Sequence, residues 1–178
     1  CNNIISVWNA FKQGKCFGSI VNSSRWNCTL SSEYSSALYG SCLSMKNISQ
    51  FCPYSFSMTP EEAAEIDPQQ KCALIVVKNA LNNAKLKSGR EMDGEKNVAV
   101  FVAAMNDDYN RLSRPLSAFT AGSGNISMIS ARVSHCFGFH GACYTINAAC
   151  ASSLVAVHNA KIGIEQGEFP IAIVVGVN

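Results

Sequence analysis

The sequence predicts an α/β fold. Two apolar runs carry most of that expectation: Val98-Ala-Val-Phe-Val102 and Ile171-Ala-Ile-Val-Val175 each read as a strand buried on both faces, the pattern of a parallel sheet covered by helices. Between them, a short extended run at Ala142–Ile146 leads into a turn of small residues and then a helical stretch, Ser153–Gln166. The chain thus passes from strand to turn to helix to strand, the repeating order of α/β proteins.

Each element follows from local pattern. Ile4, Val7, Trp8 and Phe11 fall at helical spacing, and Gly14 closes that short amphipathic helix. From Cys16 to Ser57 the composition shifts to Ser, Asn, Cys and Tyr with little periodicity, which reads as a surface excursion without assigned elements. Two helix starts follow. In Thr59-Pro-Glu-Glu62, threonine caps, proline takes the first helical position and Glu62 sits where a capping box needs it; Asp67-Pro-Gln-Gln70 repeats the device, with Gln70 in the reciprocal place. The second helix is expected to run to about Ala84 and to bury Ala73, Val76, Val77, Ala80, Leu81 and Ala84. A polar loop with Gly89 and Gly94 precedes the strand Asn97–Ala104. After the last helix, near Gly163–Gly167, Pro170 and Gly176 bound the final strand.

Composition excludes more than it selects. At 178 residues and 48% hydrophobic, the chain is long enough to bury a sizeable core. A net charge of +2 gives no reason to expect nucleic acid or an anionic membrane as partner, and no apolar run approaches the roughly 20 residues that span a bilayer. The nine cysteines are odd in number and show no Cys-x-x-Cys pair, so neither a zinc site nor a complete disulfide framework is expected, and reduced thiols in an intracellular, cytoplasmic setting are the better reading. The glycosylation-type triplets at Asn22, Asn27, Asn47 and Asn125 are common by chance in a Ser- and Asn-rich chain. Asp107 and Asp108 are adjacent acids that diverge in most backbone geometries and read as solvated turn residues.

The turn Asn147-Ala-Ala-Cys-Ala-Ser-Ser-Leu154 carries the chemistry. It holds Cys150 at the first turn of a helix, where unpaired backbone N–H groups and the macrodipole favour the thiolate, the nucleophilic form. The alternative is a cysteine that merely packs among small residues. Met105 follows the strand at Asn97–Ala104, where open α/β sheets place binding residues, and is a candidate substrate-pocket residue; otherwise it fills a gap in the core. His135, His140 and His158 have only their presence to recommend them as partners for a nucleophile.

Asn147-Ala-Ala-Cys-Ala-Ser-Ser-Leu-Val-Ala156 and Val175-Gly-Val-Asn178 resemble the active-site region of the β-ketoacyl synthases, the condensing domains of fatty acid and polyketide synthases. There the segment reads like Asp-Thr-Ala-Cys-Ser-Ser-Ser-Leu-Val-Ala, followed by a helix and a strand ending Gly-Gly-Val-Asn. Ile66-Asp-Pro-Gln-Gln-Lys71 is similar to the Asp-Pro-Gln-Gln signature of multidomain ketosynthases, and Gly124–Ser134 to their segment ending Asn-Arg-Ile-Ser. The resemblance is clear from about Phe56 to Asn178 and thin before that. Departures are Asn147 for Asp, Ala148 for Thr, Ala151 for the first Ser after the cysteine, and Ala142 for the proline of Gly-Pro, which remove hydrogen bonds that Thr and Ser side chains make near the turn.

The resemblance implies a thiolase-like fold, layered α/β/α/β/α when complete, with residues 1–178 forming most of its first half as a partial domain truncated at both ends. It implies that Cys150 accepts an acyl group, as a thioester, from the phosphopantetheine of an acyl carrier protein, with no cofactor or metal of its own. Two histidines from later motifs then assist decarboxylation of a malonyl-type extender, and Claisen condensation follows. It further implies a homodimer. Cysteine rather than glutamine at position 150 argues against a decarboxylase-only variant. A non-catalytic ketosynthase-like scaffold contributing dimerisation is the alternative; an unrelated thiol hydrolase gives no reason for the Asp-Pro-Gln-Gln and Gly-Val-Asn segments.

Overall fold

A computed structural model describes residues 4–23, 39–42, 51–87, 97–112 and 117–178. The chain forms two compact units, Cys1–Asn47 and Ile48–Asn178. The loop with Gly89 and Gly94, and the sites Cys1, Cys28, Asn27 and Asn47, lie outside the described residues.

In the first unit, α1 (Ile4–Lys12) forms where the periodicity placed a helix, and Gly14, at φ 62, closes it. The Gly14 N–H donates to the Phe11 carbonyl at 3.0 Å. Only Ala10 of α1 is buried, while Ile4, Ile5, Trp8 and Phe11 are exposed. Within the stretch read as free of elements, β1 (Ser19–Ile20) pairs antiparallel with β2 (Tyr39–Gly40).

The first described element of the second unit is a 3-10 turn at Pro53–Phe56, closed by Ser57 at φ 54. The surface excursion therefore ends earlier than the composition suggested. Phe56 is buried, stacks on Phe51 at 5.0 Å and meets the edge of Phe137 at 6.1 Å. Two helices follow, α2 (Pro60–Glu65) and α3 (Pro68–Ala84), each with proline in its first turn and a side-chain cap. Thr59 Oγ1 accepts from the Glu62 N–H at 3.1 Å and Asp67 Oδ1 from the Gln69 N–H at 2.7 Å.

The buried face of α3 is Gln70, Ala73, Leu74, Val77 and Leu81. Val76, Ala80 and Ala84, expected inside, are exposed. The observed face shares Ala73, Val77 and Leu81 with the expected one but is centred further round the helix, on the side that carries Gln70 and Leu74.

Three parallel strands form the central sheet in the order β4–β3–β5. These are β3 (Val98–Ala103), β4 (Cys143–Ile146) and β5 (Ile171–Gly176), with Val100 opposite Cys143 and Val98 opposite Ile171. Alternation along β3 divides the core. Val98, Val100 and Val102 pack with Leu74, Val77, Ile129 and Val133 of α3 and α5 (Ser127–Phe137), whereas Ala99, Phe101 and Ala103 pack with Ala156 and Ala160 of α6 (Ser152–Glu165) and with Phe169. Helices thus cover both faces, which is why every residue of β3 is apolar and buried. The final strand, expected to be buried on both faces, is half-buried from Ile171 to Val174, buried at Val175 and exposed at Gly176, because β5 stands at one edge of the described sheet.

The short helix α4 (Thr120–Ser123) precedes α5. Helix α6 ends with Gly167 at φ 74 and the Glu168 N–H donating to the Gly163 carbonyl at 2.9 Å. Gly163 itself lies inside the helix, buried against Phe169. No described helix is long and apolar enough to cross a membrane.

Candidate active site

The carboxyl ends of β3, β4 and β5 meet around an open cleft of about 360 Å³. Met105 follows β3, Cys150 stands in the turn after β4, and Asn178 follows β5; all three line the cleft. Parallel sheets place ligands at this end, where successive strand–helix loops converge. Cys150 and Met105, assigned separately to nucleophile and pocket, share this one cavity.

The turn holding Cys150 is tightly braced. Ala149 adopts φ 49, a left-handed conformation that costs an L-residue about 1–2 kcal/mol and persists only where its surroundings impose it. The Ala151 N–H donates to the Ala148 carbonyl and the Ser152 N–H to the Ala149 carbonyl, both at 3.1 Å. Ser152, buried at the start of α6, adds two bonds: its Oγ donates to the Ala149 carbonyl at 2.6 Å and accepts from the Ala148 N–H at 2.8 Å. Asn147 braces the other side, accepting from the Ala149 N–H at 3.2 Å through Oδ1 and donating from Nδ2 to the Met105 carbonyl at 3.3 Å. The turn was expected to be poorer in hydrogen bonds because Thr and Ser are missing at positions 148 and 151; Asn147 and Ser152 supply them instead. Cys150 is exposed on this frame, flanked by Ala149 and Ala151.

The opposite wall is fixed by the other family-like segments. Gln69 Nε2 donates to the Asn106 carbonyl at 2.9 Å, and the Asn106 N–H donates to Asn178 Oδ1 at 3.1 Å. The Val177 N–H donates to the Ala103 carbonyl at 3.0 Å. The Asp-Pro-Gln-Gln and Gly-Val-Asn segments therefore anchor the residue next to Met105 from two directions. Gly176 also has a local reason, since a Cβ there would stand 2.9 Å from Ser153 Oγ at the cleft.

None of the three histidines lines this cleft; His135, His140 and His158 are all exposed. Asp107 forms an exposed ion pair with Arg111 at 3.1 Å, as a solvated turn residue can. Among the described residues no group of three or more His, Cys, Asp or Glu side chains is arranged to hold a metal ion. Asn147 and Ser152 are working side chains of the turn that were not among the expected site residues. The available signal was their chemistry: Asn and Ser are the residue types that bond to backbone groups within a turn.

A parallel sheet covered by helices on both faces, with a tight turn joining β4 to α6, is an α/β arrangement of the thiolase-like kind. Residues 1–178 match the family described as Beta-ketoacyl synthase, N-terminal domain, and the chain belongs to that family. It is 38% identical over 144 residues to Probable polyketide synthase 1 of Dictyostelium discoideum, covering 79% of this chain and 4% of that protein. Against Polyketide synthase 37 of the same organism it is 34% identical over 180 residues, covering 99% of this chain and 6% of the relative. It superimposes on the oxazolomycin ketosynthase domain OzmH KS7 of Streptomyces albus JA3453 with a TM-score of 0.82 and 26% identity, covering 100% of this chain and 32% of that structure. The chain therefore spans a small part of the curated relatives and about a third of the solved ketosynthase.

Proposed function

We propose that Cys150 is the acyl-accepting nucleophile of a ketosynthase, and that these residues form the nucleophile-bearing part of a larger condensing domain. The observation that carries this reading is the placement of an exposed cysteine on a braced turn, facing the same cleft as Met105 at the carboxyl ends of three parallel strands. The Cys150 thiolate attacks the carbonyl carbon of an acyl thioester carried on the phosphopantetheine of an acyl carrier protein. A tetrahedral oxyanion forms, the bond to the carrier sulfur breaks, and that sulfur leaves as a thiolate and takes a proton from solvent. Backbone N–H groups, that of Cys150 among them, stabilise the oxyanion, the largest contribution in much acyl-transfer chemistry. Met105 contacts the acyl chain.

Condensation with a malonyl-type extender then needs two histidines. None of the three in this chain faces Cys150, so those groups come from another part of the domain. A homodimer in a cytoplasmic polyketide or fatty acid synthase completes the proposal. The names of the relatives, polyketide synthases among them, favour the polyketide side. The alternative is a scaffold that only dimerises.

One experiment separates the two. The parent synthase is incubated with an acyl-phosphopantetheine thioester, quenched, and its cysteine peptides weighed. Acylation at Cys150 in the wild type and none in Cys150→Ala is expected, with unfolding little changed because the side chain is exposed among alanines. Acyl loading of Cys150→Ala at the wild-type rate, or on Cys143 instead, makes the nucleophile assignment wrong and leaves the scaffold.

A further inference from the structure

We propose that Asn147 is a positioning residue which, through Ala149, fixes the direction of the Cys150 N–H and thiol toward an acyl carbonyl in the cleft. This inference rests on the acyl-accepting role proposed above for Cys150. The residue before the nucleophile is alanine rather than glycine, yet it is held at φ 49. Such a conformation must be imposed from outside, and both polar groups of Ala149 are taken: Asn147 Oδ1 accepts from its N–H and Ser152 Oγ donates to its carbonyl.

The Ala149 carbonyl and the Cys150 N–H belong to one trans peptide, so they point in opposite directions. Holding the carbonyl toward Ser152 therefore turns the Cys150 N–H away from it. The remaining freedom is rotation about Ala149, and the bond from its N–H to Asn147 limits that. Asn147 is itself anchored, because Nδ2 donates to the carbonyl of Met105 at the end of β3. One side chain thus straps the nucleophile turn to the cleft wall that carries the pocket residue.

The two bonds can be separated by substitution. Asn147→Asp keeps the acceptor for Ala149 and loses the donor to Met105; Asn147→Ala loses both. In the parent synthase, with acyl-phosphopantetheine as probe, Asn147→Ala is expected to lower the maximal acylation rate of Cys150 about tenfold or more with KM changed by less than about threefold, since a misdirected oxyanion donor acts on the transition state. Asn147→Asp should recover most of that rate. Alkylation of Cys150 by iodoacetamide, which has no oxyanion to stabilise, should stay within about twofold of wild type in both variants. Acylation of Asn147→Ala within about twofold of wild type overturns the proposal. So does a parallel fall of acylation, alkylation and unfolding midpoint that Asn147→Asp does not restore. If the wild type takes no acyl group while Cys150 still alkylates, the acyl-transfer reading fails by itself, and amide exchange at Ala149 decides the strap. Faster exchange in Asn147→Ala supports it, and unchanged exchange overturns it.

Discussion

Arg132 on α5 donates from Nε to Oε1 of the buried Gln70 at 2.5 Å, tying the first turn of α3 to the helix that supports β4. Gln70 Nε2 donates in turn to the carbonyls of Gly122 at 2.9 Å and Ser123 at 3.2 Å, and Arg132 also pairs with Glu62 of α2. Two segments that resemble the family in sequence, Ile66–Lys71 and Gly124–Ser134, are thus two halves of one polar network.

Arg132→Ala should therefore destabilise the parent domain by about 2–3 kcal/mol, because it leaves a buried amide oxygen and a half-buried carboxylate without their charged donor. Arg132→Lys should recover only part, since an ammonium cannot present the guanidinium's planar fork to two acceptors. Denaturant unfolding of the three proteins measures the difference; equal midpoints would mean that solvent replaces the network freely.

The network also marks where sequence reading stops. Caps at Thr59 and Asp67, the end of α3 at Ala84 and the strand–turn–helix around Cys150 were all legible, because each depends on neighbours within a few residues. Gln70 and Glu62 satisfied the same local rule for a capping box, yet long-range partners claim both side chains. A reciprocal cap and a tertiary bond to Arg132 have the same local spelling, and only the fold decides between them. The buried face of α3 lies further round than expected, because apolar residues occupy two overlapping stripes of this helix and only its packing selects the one with Gln70 and Leu74. Cys150 and Met105 were legible as separate candidates; their common cleft required the register of β3 against β4.

Close packing at two glycines gives unequal tolerances to one methyl group. A Cβ on Gly141 would lie 2.7 Å from the carbonyl carbon and oxygen of Val98, the backbone of the central strand. Neither can move without breaking the sheet, so Gly141→Ala should cost about 3 kcal/mol. On Gly163 the methyl would overlap the Phe169 ring, most closely at Cζ and 2.6 Å from Cε1, and that ring is packed against Phe101 with centroids 5.8 Å apart. A ring can tilt where backbone cannot, so Gly163→Ala should cost about 1–2 kcal/mol. Gly122→Ala, whose Cβ meets nothing nearer than 3.6 Å, is the control and should be close to neutral. Unfolding midpoints in the order Gly122→Ala, Gly163→Ala, Gly141→Ala, from highest to lowest, are expected; equal losses at all three would show that the contacts around Gly141 relax.

Cysteine reactivity should depend on pH in opposite senses at two thiols that do not line the cleft, Cys52 and Cys72. Cys52 is exposed, and its thiol pKa is lowered chiefly by the Ser55 side-chain hydrogen bond, then by the Ser55 backbone. Burial raises the pKa of Cys72 on α3, and the nearby Asp67 carboxylate raises it further. With iodoacetamide, Cys52 should label at lower pH than an ordinary thiol and Cys72 at higher pH, because the reacting species is the thiolate. Stability follows the same shifts with opposite signs. Cys72 holds its proton longer folded than unfolded, so its contribution is complete below its ordinary value of 9.0 and is lost as pH rises through the folded value. Cys52 contributes above 9.0 and loses that contribution as pH falls through its lowered value, though full exposure makes it small. Cys150 should be told apart by substrate protection. A bound acyl thioester should slow alkylation at Cys150, which lines the cleft with Met105, and leave Cys52 and Cys72 unchanged. Peptide mass mapping across a pH series, with and without the acyl thioester, reads every arm. Protection at Cys52 in place of Cys150 would move the acyl site away from the strand ends.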